Sequence, residues 1–161
     1  MTIKDVVVED FVNYKLPSMF IISSMCDWKC CKEQGLDISI CQNAALALSK
    51  PRDVSDEKLY DLYRTNDITK AVVIGGLEPL LQADEVLELI RTFRKHGETC
   101  NFVIYTGYYP EEISESFLTV LREFGNIIIK FGRYIPGTKP IFDDVLGVTL
   151  ASENQFAREI S

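Results

Sequence analysis

The strongest constraint in this sequence is an alternation of two patterns. Short apolar runs recur at Met19-Phe20-Ile21-Ile22-Ser23, Ala71-Val72-Val73-Ile74, Phe102-Val103-Ile104-Tyr105 and Ile127-Ile128-Ile129. Between them lie stretches with apolar residues at helical spacing. Ser55 is placed to cap a helix that presents Leu59, Leu62 and Tyr63 on one face. Asp84 is placed to cap a helix in which Val86, Leu89, Ile90 and Phe93 recur at helical spacing, and Gly97 suits its stop. Pro110 suits a first helical turn, Ile113, Phe117, Val120, Leu121 and Phe124 form an apolar face, and Gly125 ends it. Ala44 to Ser49 predicts a shorter helix stopped by Pro51.

Continuous apolar strands between amphipathic helices predict parallel pairing, with helices covering the sheet and right-handed crossovers. The expected fold class is α/β. A length of 161 residues predicts one domain over 1–161. It falls short of the roughly 250 residues of a closed eight-stranded barrel. A doubly wound sheet or a partial, open βα barrel remains. The stretch from Tyr134 to Ser161 is irregular, with Pro136, Pro140 and a short helix expected from about Asn154. Sheets of this kind place their chemistry at the C-terminal ends of the strands. Here those ends carry a cysteine-rich loop, Gly75-Gly76, Thr106-Gly107 and Gly132.

Composition narrows the function classes. A net charge of −7 argues against a general nucleic-acid binder, whose footprint is basic. No apolar run approaches the roughly 20 residues of a membrane span. Met1-Thr2-Ile3-Lys4-Asp5 lacks the layout of a signal peptide. A cytoplasmic protein is expected, and in a reducing compartment a disulfide framework is not.

Four of the five cysteines, Cys26, Cys30, Cys31 and Cys41, fall in one loop after the first apolar run. Thiolates bind zinc and iron–sulfur clusters. Four would close a structural zinc site, but the adjacent Cys30 and Cys31 rarely both reach one ion. If one of that pair drops out, three ligands remain, and three thiolates around a [4Fe–4S] cube leave one iron open. The loop is also readable as incidental buried thiols. Cys100, just before a strand, reads as a small core hydrophobe.

Ile74-Gly75-Gly76-Leu77-Glu78-Pro79 places two glycines and a carboxylate after a strand. Glycines admit close backbone approach to a ligand, although a plain turn also fits. This is not a dinucleotide fingerprint, since the third glycine is missing. Tyr105-Thr106-Gly107-Tyr108 reads as a strand end with a turn, and Ser152-Glu153-Asn154-Gln155 as a helix cap. The single histidine, His96, reads as a solvated residue at a helix C-terminus.

A cysteine loop after the first strand followed by Gly75-Gly76-Leu77-Glu78-Pro79 after the second resembles the radical S-adenosylmethionine superfamily. Asp10-Phe11-Val12-Asn13, Ile104-Tyr105-Thr106-Gly107-Tyr108 with Glu111 and Glu112, and Leu150-Ala151-Ser152-Glu153-Asn154-Gln155 are similar to segments of the anaerobic ribonucleotide reductase activating proteins. The similarity runs from about residue 10 to 156. There are departures. The family pattern is Cys-x3-Cys-x2-Cys, whereas the third position by spacing is Glu33 here, so Cys41 is taken as the third thiolate with Cys31 as its competitor. Leu77 interrupts the glycine–glutamate motif. The family's Asp-Gly after the fourth strand reads Lys130-Phe131-Gly132, and the final motif lacks its first glycine.

The resemblance implies a partial, open βα barrel with a parallel sheet. It implies a [4Fe–4S] cluster on Cys26, Cys30 and Cys41, and S-adenosylmethionine on the open iron. Gly75, Gly76 and Glu78 would hold the methionyl amine, Ile40 would lie against the adenine, and Thr106 would touch the ribose or carboxylate. The activity implied is reductive cleavage of S-adenosylmethionine and hydrogen abstraction from a glycine in the radical loop of the anaerobic ribonucleotide reductase catalytic subunit. Flavodoxin or ferredoxin would supply the electron, with no nucleic-acid or membrane partner. An activase or peptide-modifying radical enzyme for another partner, and a non-catalytic zinc-binding interaction module, are the competing readings.

Overall fold

A computed structural model describes residues 1–161. Nine strands and five α-helices run in the order β1 (Thr2–Asp10), β2 (Ser18–Ser23), α1 (Lys29–Glu33), α2 (Ala44–Leu48), β3 (Arg52–Asp53), α3 (Asp56–Arg64), β4 (Ala71–Gly75), α4 (Ala83–Lys95), β5 (Asn101–Tyr105), α5 (Glu115–Phe124), β6 (Ile127–Phe131), β7 (Ile141–Asp143), β8 (Val148–Leu150) and β9 (Phe156–Glu159).

The four apolar runs form β2, β4, β5 and β6. These strands lie side by side and pair in parallel, as the patterning predicts. The full sheet has seven strands in the order β3-β1-β2-β4-β5-β6-β9, and it does not close into a barrel. Its flanks differ from expectation. β1 and β9 pair antiparallel to β2 and β6 respectively. The C-terminal stretch holds an antiparallel β7–β8 hairpin and the strand β9 where a helix from Asn154 was expected. The register of β1 against β2 shifts twice, between Ile3 and Asp5 and between Val7 and Asp10, and β3 covers only Thr2 and Ile3 of its outer edge.

Strand alternation sorts the residues into two cores. On one face Met19, Ile21, Val72, Ile74, Phe102, Ile104, Ile127 and Ile129 pack against Leu59 of α3, Leu89, Ile90 and Phe93 of α4, and Leu121 of α5. On the other, Ala71, Val73, Val103 and Ile128 pack beneath Tyr14, Leu146 and Leu150. Helices therefore build the first face, while the 11–17 loop and the β7–β8 hairpin plug one end of the second. The other end of that second face stays open as a cleft, toward the C-terminal ends of the parallel strands.

Local chemistry fixes the helices. Ser55 Oγ accepts from the Lys58 N–H, the expected cap of α3. α4 begins at Ala83 rather than behind an Asp84 cap, because Pro79–Gln82 forms a 3-10 turn that runs straight into it. Pro110–Glu112 is likewise a separate 3-10 turn, and α5 starts at Glu115. His96 ends α4, stacks on Tyr60 and pairs with Glu57 of α3 at 2.8 Å. Cys100 is buried. No helix is long and apolar enough to cross a membrane.

Phe93 is fully buried, with Tyr60, Tyr63 and Phe102 around its ring. Phe93→Ala removes the centre of that cluster and leaves a cavity. It is expected to lower unfolding free energy by about 3–5 kcal/mol, measured by urea titration.

Candidate metal centre and ligand cleft

The cleft has a volume of about 420 Å³ and gathers the ends of β2, β4, β5 and β6. Three thiols from the cysteine loop lie on its wall: Cys26, Cys30 and Cys41. All three are half-buried. Cys26 follows β2 directly, Cys30 lies in the first turn of α1, and Cys41 ends the Ile38–Ile40 turn. Cys31 is buried and absent from the cleft wall. It faces a smaller cavity of about 170 Å³ behind the loop, which Cys30 and Cys41 also reach. Cys30 and Cys31 Sγ are 3.9 Å apart. Between Cys26 and Cys30 the chain turns through Trp28 at φ 61°, a left-handed conformation that a tryptophan adopts only under surrounding constraint.

The thiols resist ionisation. Burial raises Cys26, and a Trp28 N–H at 3.4 Å from its sulfur offsets this only in part. Burial, then the neighbouring Cys31, pushes Cys30 up to about 12. Cys41 and Cys26 add to the rise. Such a set binds metal only by exchanging its protons for cationic charge.

The loop is tied down on several sides. Tyr108 donates its hydroxyl to Asp27 at 2.9 Å, and Asn43 Nδ2 donates to the Gly76 carbonyl at 2.6 Å. Gln34 donates to the Cys30 and Tyr134 carbonyls. Arg133, only 4% exposed, joins α1 to the Pro110–Glu112 turn. Its Nη2 pairs with Glu112 at 2.5 Å, and its Nε lies 2.9 Å from the Glu33 carboxylate. Lys29 also pairs with Glu112. Arg133 Nη1 is buried without a partner on the cleft wall.

The glycine–glutamate segment divides its roles. Gly75 is enclosed, and a Cβ there would meet Tyr105 Cβ at 2.8 Å. Gly76, at φ +76°, lines the cleft, and a Cβ there would meet Ile22. Leu77 is buried in the turn between Gly76 and Glu78. Glu78 is 5% exposed and accepts three hydrogen bonds: Leu80 N–H and Thr106 Oγ1 to Oε1, and Gly107 N–H to Oε2. Burial still leaves its carboxyl above the usual range. Thr106 donates to Glu78 and accepts from the Tyr108 N–H, so its hydroxyl is engaged within the wall. Ile40 is half exposed and lines the smaller cavity, apart from the cleft.

The structure thus brings Cys26, Cys30, Cys41, Gly76, Glu78 and Thr106 to one cleft, and sets Gly75 behind it and Ile40 beside it. Sequence reading missed Lys130 and Arg133, both buried and both on the cleft wall. A lysine closing the otherwise apolar run Ile127-Ile128-Ile129 is the signal that points to the first. Nothing local marks Arg133.

The donor set suits an iron–sulfur cluster. Three half-buried thiols line one cleft whose space is far larger than a single ion. An α/β domain with a three-thiol loop at its strand ends defines the class: an iron–sulfur protein. The comparison with family models agrees. Residues 20–138 match the 4Fe-4S single cluster domain, and the chain belongs to that family. No curated protein matches it.

Two outcomes follow. Anaerobic reconstitution with iron and sulfide is expected to give a broad absorption near about 400 nm. Cys26→Ala, Cys30→Ala and Cys41→Ala should each lose it, and Cys31→Ala should keep it. Second, Glu112 is held down to about 2, chiefly by Arg133, against an ordinary 4.5. A depressed acid contributes stability above its unfolded pKa and loses it as pH falls through its folded one. Glu112→Gln should therefore cost on the order of 1–2 kcal/mol at pH 6, and the difference should vanish toward pH 2, read by denaturant titration across pH.

Proposed function

We propose that this protein is a radical S-adenosylmethionine enzyme that activates a glycyl-radical partner, an anaerobic ribonucleotide reductase catalytic subunit. The observation that carries the reading is the shared wall: three cluster-type thiols and the Gly76–Glu78 acceptor segment face one cleft. The volume of about 420 Å³ is in the range of a small-ligand pocket.

The cluster would be held by Cys26, Cys30 and Cys41. When bound, it supplies one electron, from a flavodoxin or ferredoxin, for cleaving the sulfonium to methionine and a 5′-deoxyadenosyl radical that takes hydrogen from a partner glycine. The chain's own residues bind and orient. The Gly76 carbonyl and the Glu78 carboxylate are acceptors suited to the methionyl ammonium. Thr106 and Gly107 hold Glu78 in place, so Thr106 acts through Glu78 rather than on the ligand. Apolar walls from Phe20, Ile22 and Leu46 exclude water from the reacting groups. The cleft is open to the outside, which admits a polypeptide loop.

The test is anaerobic. The reconstituted, reduced chain should convert S-adenosylmethionine to 5′-deoxyadenosine, and Glu78→Ala should lower kcat/KM by about 100-fold or more, as losing a buried charged acceptor does. Colourless protein with bound zinc and no cleavage would favour the interaction module instead. Cleavage without transfer of a radical to a ribonucleotide reductase would leave an activase for another partner.

A further inference from the structure

Cys31 is the thiol of the cysteine loop that the cluster set leaves over. It is 4% exposed, faces the smaller cavity behind the loop and is absent from the cleft wall. It shares that cavity with Leu36, Pro136 and Ala151, among which an aliphatic side chain would pack as well as a thiol. Its one polar side-chain contact is with Cys30, sulfur to sulfur at 3.9 Å. The family pattern Cys-x3-Cys-x2-Cys does not specify the residue after its second cysteine, so this thiol is a property of this chain.

Between two thiols, either sulfur can donate. Ligation removes that choice. A cysteine binds metal as its thiolate, so Cys30 gives up its proton and its sulfur can then only accept. Cys31 is left as the donor, and a hydrogen bond to an ionised acceptor is stronger than one between neutral groups. A second contact of this kind stands at Cys26. Where the chain turns through the left-handed Trp28, the Trp28 N–H lies 3.4 Å from the Cys26 sulfur. Two of the three proposed ligand sulfurs thus meet a donor from the loop itself. A donor on a ligand sulfur draws off negative charge, so it favours the reduced cluster and raises the reduction potential. We infer that Cys31 acts on the cluster through Cys30: its S–H donates to the Cys30 thiolate and makes the cluster easier to reduce. It is a positioning residue rather than a ligand. The inference rests on the ligand set Cys26, Cys30 and Cys41 given under Proposed function, and not on the partner or the reaction.

The alternative is a thiol that only fills space behind the loop. The wild type, Cys31→Ala and Cys31→Ser separate the two. Each is reconstituted anaerobically with iron and sulfide, and its midpoint potential is read by redox titration of the cluster absorption. Iron and sulfide per chain and the melting temperature are measured alongside. All three proteins should hold the cluster. In Cys31→Ala the equilibrium constant for one-electron reduction should fall about threefold to tenfold, a lowering of roughly 30–60 mV. Cys31→Ser keeps a donor in the same place and should stay at or above the wild-type potential. A Cys31→Ala potential equal to that of the wild type overturns the assignment, because no donor was lost. An equal lowering in both variants also overturns it, because packing alone then explains the change. Loss of the cluster by a folded Cys31→Ala chain makes Cys31 a ligand, and overturns the assignment together with the ligand set. A cluster-loaded chain that shows the expected potentials but does not cleave S-adenosylmethionine sinks the activase reading and leaves this assignment standing, since the potentials are read without that ligand.

Discussion

The arrangement of the cleft depends on one buried carboxylate. Glu78 takes donors from Leu80 on its own segment and from Thr106 and Gly107 at the end of β5. Its own N–H donates to the Met25 carbonyl, next to Cys26. A single residue thus fixes the ends of β4 and β5 to the start of the cysteine loop. The glycines before it make this possible. Gly75 lets Tyr105 approach, and Gly76 clears Ile22, so the segment can cross the sheet end at close range.

The far side of the loop is fastened electrostatically. Arg133 lies between Glu33 on α1 and Glu112 in the turn after β5, and stacks over the Tyr109 ring at 4.8 Å. Glu112 also holds Lys29. The short helix α1 has five residues, too few to be stable by itself. These ion pairs and the Tyr108–Asp27 hydrogen bond therefore carry much of its placement. Cys30 sits on this marginal helix, so the same ion pairs and hydrogen bond decide where its thiol lies on the cleft wall.

What the sequence discloses follows from how local the causes are. β2, β4, β5 and β6 are legible because a strand buried on both faces has to be apolar at every position. The Ser55 cap and the Gly97 stop are legible because their causes lie within one helical turn. β9 is not. Phe156-Ala157-Arg158-Glu159 carries no strand signature, and its pairing to β6 is decided at a distance. The 3-10 turn at Pro79–Gln82 hides the true start of α4 because Gln82 is recruited to bond Ser24 and Thr2. The gathering of the cysteine loop, Gly76 and Thr106 at one edge was legible from strand order, whereas which thiols of the loop face the cleft was not. The enclosure of Gly75, the side position of Ile40 and the burial of Arg133 were not, since each is set by contacts between distant segments.

The free edge of β1 has a consequence for life at high protein concentration. Beyond Ile3 no strand covers it, so several backbone groups of a seven-stranded sheet face outward. An uncovered edge is a template for another chain. This one is interrupted by two register shifts and carries the exposed acids Asp5 and Glu9. The sheet can stay open, and keep its cleft, without growing by recruiting strands from its neighbours.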